Sequence, residues 1–407
     1  MSIDTMKKYL LIIFIYVGVL WSWFQYGIFS LFSYWDEILA LMFVPLFIYN
    51  IIKKKKKIDM QILIPLAIFV CAGIAGNLIY RYVDIKSVLS DCFLNIKFFM
   101  LLYAVYYIYM IWDWHKYEET IKIHLDVLSI VLLVLVVIDR LFSIFPVYEI
   151  RFGLKSEQLM FMHPSFCAAS FFYLLMLRIL FGNIEGKKNI IINATIGISI
   201  LLTLRLKAIV TLIILGIFLF YVYDIKWRYL KYPLSICGIV GGGLIVFKQV
   251  CGYFFSTYAM QYARGALLLT SLKIIKDYFP IGTGFATFGS YMSGVNYSPL
   301  YSLYNIDNVY GMTKDNYNAI CDQYWPMIIG QTGMIGLLAI IFIFIMLLRK
   351  IKVHEIVTKN QLIAGVGCII YIVVCSTAES AICNPVCMPL AIILGLVYAQ
   401  LDNSKGV

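Results

Sequence analysis

One feature recurs along this chain: a long apolar run, closed by lysines or by a short polar segment, then another. A helix needs about 20 mostly apolar residues to cross the hydrocarbon of a bilayer. About twelve such runs occur, at 9–28, 38–52, 61–80, 94–112, 124–145, 165–181, 190–204, 208–223, 233–248, 324–348, 362–375 and 385–401. Backbone polar groups in lipid must be satisfied within the segment, so runs of this kind predict an all-α, polytopic membrane fold in one domain spanning 1–407. Composition agrees. The chain is 62% hydrophobic and 14% charged, against roughly a quarter charged for a soluble domain. The first run lacks a small-residue cleavage site and reads as an anchor.

Basic residues set the orientation. With Lys7 and Lys8 in the cytoplasm, more than half of the 33 Lys and Arg fall at cytoplasmic ends. Among them are Lys53–Lys57, Lys187, Lys188, Lys226, Arg228, Lys231, Arg349 and Lys350. Both termini are then expected in the cytoplasm. The net charge of +11 follows from this asymmetry. The lysine run at 53–57 follows an apolar run directly, so it anchors to anionic headgroups and no nucleic-acid partner is expected. Cysteines lie mostly inside apolar runs and show no metal spacing. Only Cys251 and Cys321 bracket an outer loop; an oxidising exterior would allow them to pair, but two lone cysteines do not establish it.

One connection is long. About 70 residues, 251–323, stand between the ninth and tenth runs on the outer side, and loops of that length are usually functional. They contain an expected amphipathic helix at 262–277 with Arg264, then the stretch YFPIGTGFATFGS, then a tyrosine-rich segment. The glycine spacing is not the dinucleotide fingerprint, which requires a strand and a helix around it. Glycines there let the backbone turn and approach a neighbour closely. The stretch reads as a hinge and scaffold for the helix before it and the lid after it. Eleven tyrosines lie between Tyr253 and Tyr324. They form either an interfacial belt or flat platforms with hydroxyl handles for sugar rings. Tyr301, Tyr304 and Tyr310 lie well inside the loop and favour the second use.

Three outer segments each carry an arginine: Arg151 in PVYEIRFGLKSEQLMFMHP, Arg205 in the hairpin LTLRLKAIV, and Arg264. The rigid guanidinium fork bonds two oxygens of a phosphate at once. The three are either unrelated solvated arginines or one pocket for a diphosphate-bearing lipid. The candidate outer acids are Asp84, Asp91, Asp139, Asp307, Asp315, Asp322 and Glu379. Asp139 is expected to pair locally, and His163 is as much a helix-cap residue as a catalytic one.

Three pieces together resemble the O-antigen polymerase/ligase superfamily, in particular Wzy-type polymerases of surface polysaccharide. They are RFGLKSEQLMFMHPSFCA, the arginine hairpin LLTLRLKAIVTL, and ARGALLLTSLKIIKDYFPIGTGFATFGS followed by YG and DQYWPMIIGQTGMIG. The resemblance implies a glycosyltransferase of the cytoplasmic membrane, making O-antigen, capsule or exopolysaccharide. It would join oligosaccharide repeats carried on undecaprenyl diphosphate at the outer face, without nucleotide, metal or other cofactor. A chain-length regulator and a flippase are implied as partners beside the bilayer. Arginines 151, 205 and 264 would stabilise the diphosphate leaving group. Asp322, preferred over Glu379, would take the acceptor proton. Ligases of the superfamily resemble this chain but carry a histidine in the large loop, and KDNYNAICDQYW has none. That favours polymerase over ligase. A lipid-linked glycan flippase is the alternative of another class, although no internal repeat is visible.

Overall fold

The computed structural model describes residues 3–25, 30–53, 59–112, 114–184, 186–223, 258–352 and 357–403. They are mostly helical. Seven helical segments are long and apolar enough to cross a membrane: Asp4–Trp23, Phe32–Ile52, Met60–Tyr80, Ile85–Ile111, Glu118–Phe142, Tyr324–Ile351 and Pro385–Asp402. Shorter apolar helices occupy Pro164–Leu180, Leu206–Val222 and Lys359–Cys375, and a further helix Lys187–Leu202. The expected run at 233–248 lies outside the described residues, as do Cys251 and most of the lysine run.

In chain order the helices are α1 Ile3–Trp23, α2 Trp35–Leu41, α3 Phe43–Lys53, α4 Met60–Tyr80, α5 Ile85–Ile111 and α6 Glu118–Phe142. A small hairpin, β1 Ile150–Arg151 and β2 Leu154–Lys155, precedes α7 Pro164–Leu180, α8 Lys187–Leu202 and α9 Leu206–Val222. Then come α10 Ala263–Asp277, α11 Tyr291–Val295, α12 Leu300–Leu303, α13 Tyr324–Lys352, α14 Lys359–Cys375 and α15 Met388–Asn403. Some helix starts carry side-chain caps, although α2, α4, α6, α8, α9 and α10 do not. Asp84 accepts from Ser87 N at 3.2 Å to open α5, and Thr358 with Gln361 forms a capping box for α14.

The burial pattern inverts that of a soluble bundle. Along α6, Ile123, Val127, Ile130, Val134, Val137 and Leu141 share one face and are all exposed. Along α13, Leu338, Ile341, Phe342 and Ile345 do the same. An apolar face at helical spacing with no protein over it belongs against lipid. The chain is a multi-pass membrane protein. Its centre is α7, buried at almost every position, and α15, which packs along α5. We call the end of the helices that carries residues 258–323 the loop end.

At the loop end the stretch 282–290 is entirely buried. It sits between α4, α5 and α13 as a fixed wedge and does not serve as a hinge. The helix α13 is broken at Gly333, whose backbone is non-helical at φ 60 and ψ −155. A break inside lipid leaves amide groups that need partners, and the wedge supplies them. Thr283 N donates to Gly330 O at 3.0 Å, Gly284 N to Gln331 O at 2.8 Å, and Ile335 N to Pro280 O at 3.2 Å. On the other flank Asn77 exchanges two hydrogen bonds with the backbone of Phe285, at 2.8 and 2.9 Å. The Asp91 carboxylate accepts from Ala286 N at 2.6 Å and from Gln331 Nε2 at 2.9 Å. Only glycine fits position 284: its φ is +101, and a Cβ would lie 2.5 Å from Asn77.

The expected helix 262–277 is present as α10. Beyond the wedge the loop has its own small core, with Leu267, Ile274, Phe288, Tyr301, Ile306 and Met312 at its centre.

Candidate functional site

Two structural ties converge on one place at the loop end. The first joins the start of α13 to the connection after α14. Tyr324 N donates to Ser376 O at 3.0 Å, Gln323 Nε2 to Thr377 O at 3.1 Å, and Ser380 Oγ to Cys321 O at 2.9 Å. These bonds bring Asp322 alongside Glu379. Arg264, in the first turn of α10, reaches Asp322 Oδ2 at 3.5 Å and Ala378 O at 3.4 Å. Lys207, near the start of α9, pairs with Glu379 Oε2 at 2.5 Å.

The second tie is centred on Glu149. Arg205 stands at the N-cap of α9 and meets Glu149 Oε1 at 2.6 Å through Nη2, while Arg151 Nε meets Oε2 at 3.0 Å. The Arg205 guanidinium lies 5.7 Å from the centre of the Tyr148 ring, within cation–π range. Its Nη2 also lies 3.3 Å from His163 Nε2. The two halves feel one another electrically. Glu379 stabilises the charge on Arg205, and Lys207 lies close enough to act on both His163 and Asp322.

The structure thus gathers Arg151, Arg205 and Arg264 with both expected acids, Asp322 and Glu379. Four cations face three carboxylates, a net positive site. Arg205 Nε and Glu379 Oε1 are buried and make no hydrogen bond among the described residues. Buried polar atoms left so are the atoms a ligand can engage.

Protonation states follow from crowding. Burial, then the nearby Arg205, Lys207 and Arg151, depress His163 to about 4, so the ring is neutral at pH 7. A neutral imidazole has one acceptor nitrogen. Ser165 N donates to Nδ1 at 3.1 Å as the α7 cap. With that cap made, Nε2 carries the proton and cannot accept from Arg205 Nη2, which is itself only a donor, so the two are in contact without a hydrogen bond. Burial, then Arg151, lower Arg205 from its usual range. Burial raises Asp322, against the pull of Arg264.

The other expected residues are placed differently. Tyr301 is fully buried in the loop's own core, where its hydroxyl accepts from Gly289 N at 3.0 Å. It offers no face to a sugar, and the glycan role expected for it is corrected accordingly. Tyr304 is partly buried and spends its hydroxyl on Asp277 at 2.7 Å. Tyr310 is 83% exposed at the loop surface. Asp91 is committed to the wedge, and Asp84 to its cap. Asp139 pairs locally with Lys155 at 2.7 Å, as expected, and Arg140 pairs with Glu157 at 2.8 Å. His163 is both a cap and a site residue. Sequence reasoning assigned no role to Glu149, Tyr148 or Lys207. A lysine within the first helical turn of an apolar run was the available signal, since such a group needs a partner.

Two apolar grooves flank the bundle. One of 430 Å³ runs between α1 and α6 and ends at Phe145 and Met160, in the segment that carries Arg151 and His163. The other, of 670 Å³, lies between α4 and α13 below the Gly333 break.

Compared with models of protein families, the chain matches none. Compared with curated protein sequences, it matches none of those either.

Proposed function

We propose that this protein is a membrane glycosyltransferase of the Wzy polymerase type, with about 12 spans and both termini cytoplasmic. It joins oligosaccharide repeats carried on undecaprenyl diphosphate. The observation that carries the reading is the meeting of Arg151, Arg205 and Arg264, from three separate segments, with Lys207, Asp322 and Glu379. In the reaction an acceptor sugar hydroxyl attacks the anomeric carbon of the donor repeat. The bond from that carbon to the diphosphate oxygen breaks, and its electron pair leaves with the diphosphate. The four cations stabilise that charge where it develops. The hydroxyl proton passes to a carboxylate. Asp322 suits this better than Glu379, because Glu379 is already held by Lys207 and a raised pKa makes a stronger base. The groove between α1 and α6 fits the polyprenyl tail.

A ligase reading has one observation in its favour. His163, though in another loop, lies beside Arg205.

The test supplies purified protein in liposomes with one lipid-linked repeat and no nucleotide. Lengthening of the lipid-linked glycan supports the polymerase. Transfer only to an added lipid-core acceptor supports the ligase. Transbilayer movement without new glycosidic bonds sinks both and leaves a flippase. Arg205→Ala and Arg264→Ala are each expected to reduce product by about 10²–10³-fold. Normal polymer from both variants removes the diphosphate-pocket reading.

A further inference from the structure

The hairpin β1–β2 has a tip that does not suit water. Ile150, Phe152 and Leu154 are 70%, 78% and 53% exposed. Gly153, at φ +76, has nothing within 4 Å of where its Cβ would stand. Phe152 also has positive φ, at 54. A two-residue hairpin turn with positive φ at both positions takes Asn-Gly or Asp-Gly, which tolerate that backbone and face solvent. Here an aromatic residue takes the strained position and stands largely exposed.

The hairpin is held against the end of α6 by its bonds. Arg140 Nη1, in the last turn of α6, donates to Lys155 O at 2.9 Å, and Lys155 Nζ pairs with Asp139 at 2.7 Å. Each strand has two residues, so at about 3.4 Å per residue the tip rises roughly 10 Å at most from the end of α6. The polar layer on each side of a bilayer is about 5–7 Å thick, so a hairpin held against the end of α6 stays within reach of the hydrocarbon boundary. The end of α6 to which the hairpin is bonded is itself apolar and exposed, at Leu141, Phe142 and Ile144. Arg151, on the same hairpin, pairs with Glu149 at 3.0 Å.

We propose that the β1–β2 hairpin is a membrane-dipping finger, whose tip of Ile150, Phe152 and Leu154 seats among the phospholipid acyl chains of the loop-end leaflet. It thereby holds Arg151 at headgroup depth. For a diphosphate lipid this makes the hairpin the side of the site facing the bilayer, a consequence that rests on the proposed function. The seating in lipid does not rest on it.

The test places the photoreactive residue p-benzoylphenylalanine at Phe152 in the full-length protein. The protein is reconstituted in nanodiscs of phosphatidylethanolamine and phosphatidylglycerol, and adducts are read by mass spectrometry. The same probe at Leu141 on the lipid face of α6 and at Tyr310 on the loop surface gives the two limits. Position 152 is expected to capture phospholipid as position 141 does, roughly tenfold or more above position 310. A probe at Ile150 repeats the measurement if the turn does not accept the bulkier residue. Capture at 152 and 150 no greater than at 310, while 141 captures lipid, overturns the proposal. So does crosslinking mainly to a second copy of the chain. Either result is independent of whether glycan is polymerised.

Discussion

Arg178 and Arg205 are both largely withdrawn from the surface, yet their surroundings differ in kind. Arg178 lies in the last turn of α7, buried, with every guanidinium nitrogen engaged. Nε donates to Asn193 at 2.7 Å, Nη1 to Asp126 at 2.6 Å and to Ser129 at 3.2 Å, and Nη2 to Asn189 at 3.2 Å. Arg205 has Glu149 in front of it, cations around it, and a buried Nε that makes no hydrogen bond among the described residues. A fully satisfied buried ion is a structural joint: removing one partner leaves the other charge stranded. An under-satisfied group among like charges is held there by the fold at a cost, which is the pattern of a binding or catalytic site.

The largest expected effect tests that contrast. Arg178→Ala removes the bonds to Asn193, Asp126, Ser129 and Asn189; Asp126 keeps Lys188 at 3.1 Å, so the cost comes from the lost bonds to the guanidinium, at about 1.5–3 kcal/mol for each strong one. It should be seen as loss of the monodisperse protein in detergent. Arg205→Ala is expected to leave the melting midpoint nearly unchanged while reducing the proposed glycan lengthening by about 10²–10³-fold. If Arg205→Ala melts as early as Arg178→Ala, the two arginines are alike and the contrast fails.

Next in size is a contrast of glycines. Gly284 and Gly153 both have positive φ, and replacing either by alanine incurs roughly 1–3 kcal/mol of backbone strain. Gly284→Ala adds a clash with Asn77, since the new Cβ would lie 2.5 Å away. Overpacking of that kind costs about 1–3 kcal/mol more. Gly153→Ala meets open space. Equal melting shifts for the two variants would show that the wedge is loose.

A pH difference is smaller. His163 is depressed to about 4 in the folded protein, from about 6.5 when unfolded. Between those values the unfolded chain binds more protons, so this residue lowers stability as pH falls below about 6.5. Glu157 acts oppositely. Burial, and then Asp139 beside it, raise it to about 7, so its contribution to stability grows as pH falls from 7 toward its ordinary value. Melting of wild type against His163→Gln from pH 7.5 to 4.5 isolates the histidine. The variant is expected to lose less stability on acidification, and parallel curves would show that the ring is not desolvated.

Much of the fold was legible because bilayer crossing imposes a length and a composition on each helix. The start of α10, the close approach of the glycines and the local pairing of Asp139 were also readable from residue chemistry. The arginine cluster could be suspected from three charges set against the orientation bias. Its partners could not, because Glu149 and Lys207 matter only through contacts with residues 56 and 172 positions away. Tyr301 shows the opposite failure. Its chemistry suits both a sugar platform and a buried core hydroxyl, and burial decides between them. The hinge reading of the glycine stretch failed for a related reason: nothing local announces that Gly333 breaks α13 and needs the loop to repair it.

The smallest expected effect concerns the hairpin. Phe152→Asn replaces a strained aromatic with the residue that best tolerates positive φ. If the ring serves only lipid, stability in detergent should stay within about 0.5 kcal/mol of wild type or rise slightly. In nanodiscs the same variant should reduce phospholipid capture by a probe at Ile150 and, on the proposed function, lower polymer yield less than Arg205→Ala does. A fall in the detergent melting point as large as that of Gly284→Ala would mean that the ring is packed against protein. The comparison would then move: the tip would belong with the wedge, as structure, and Arg151 would be held in place by the fold and not by the membrane.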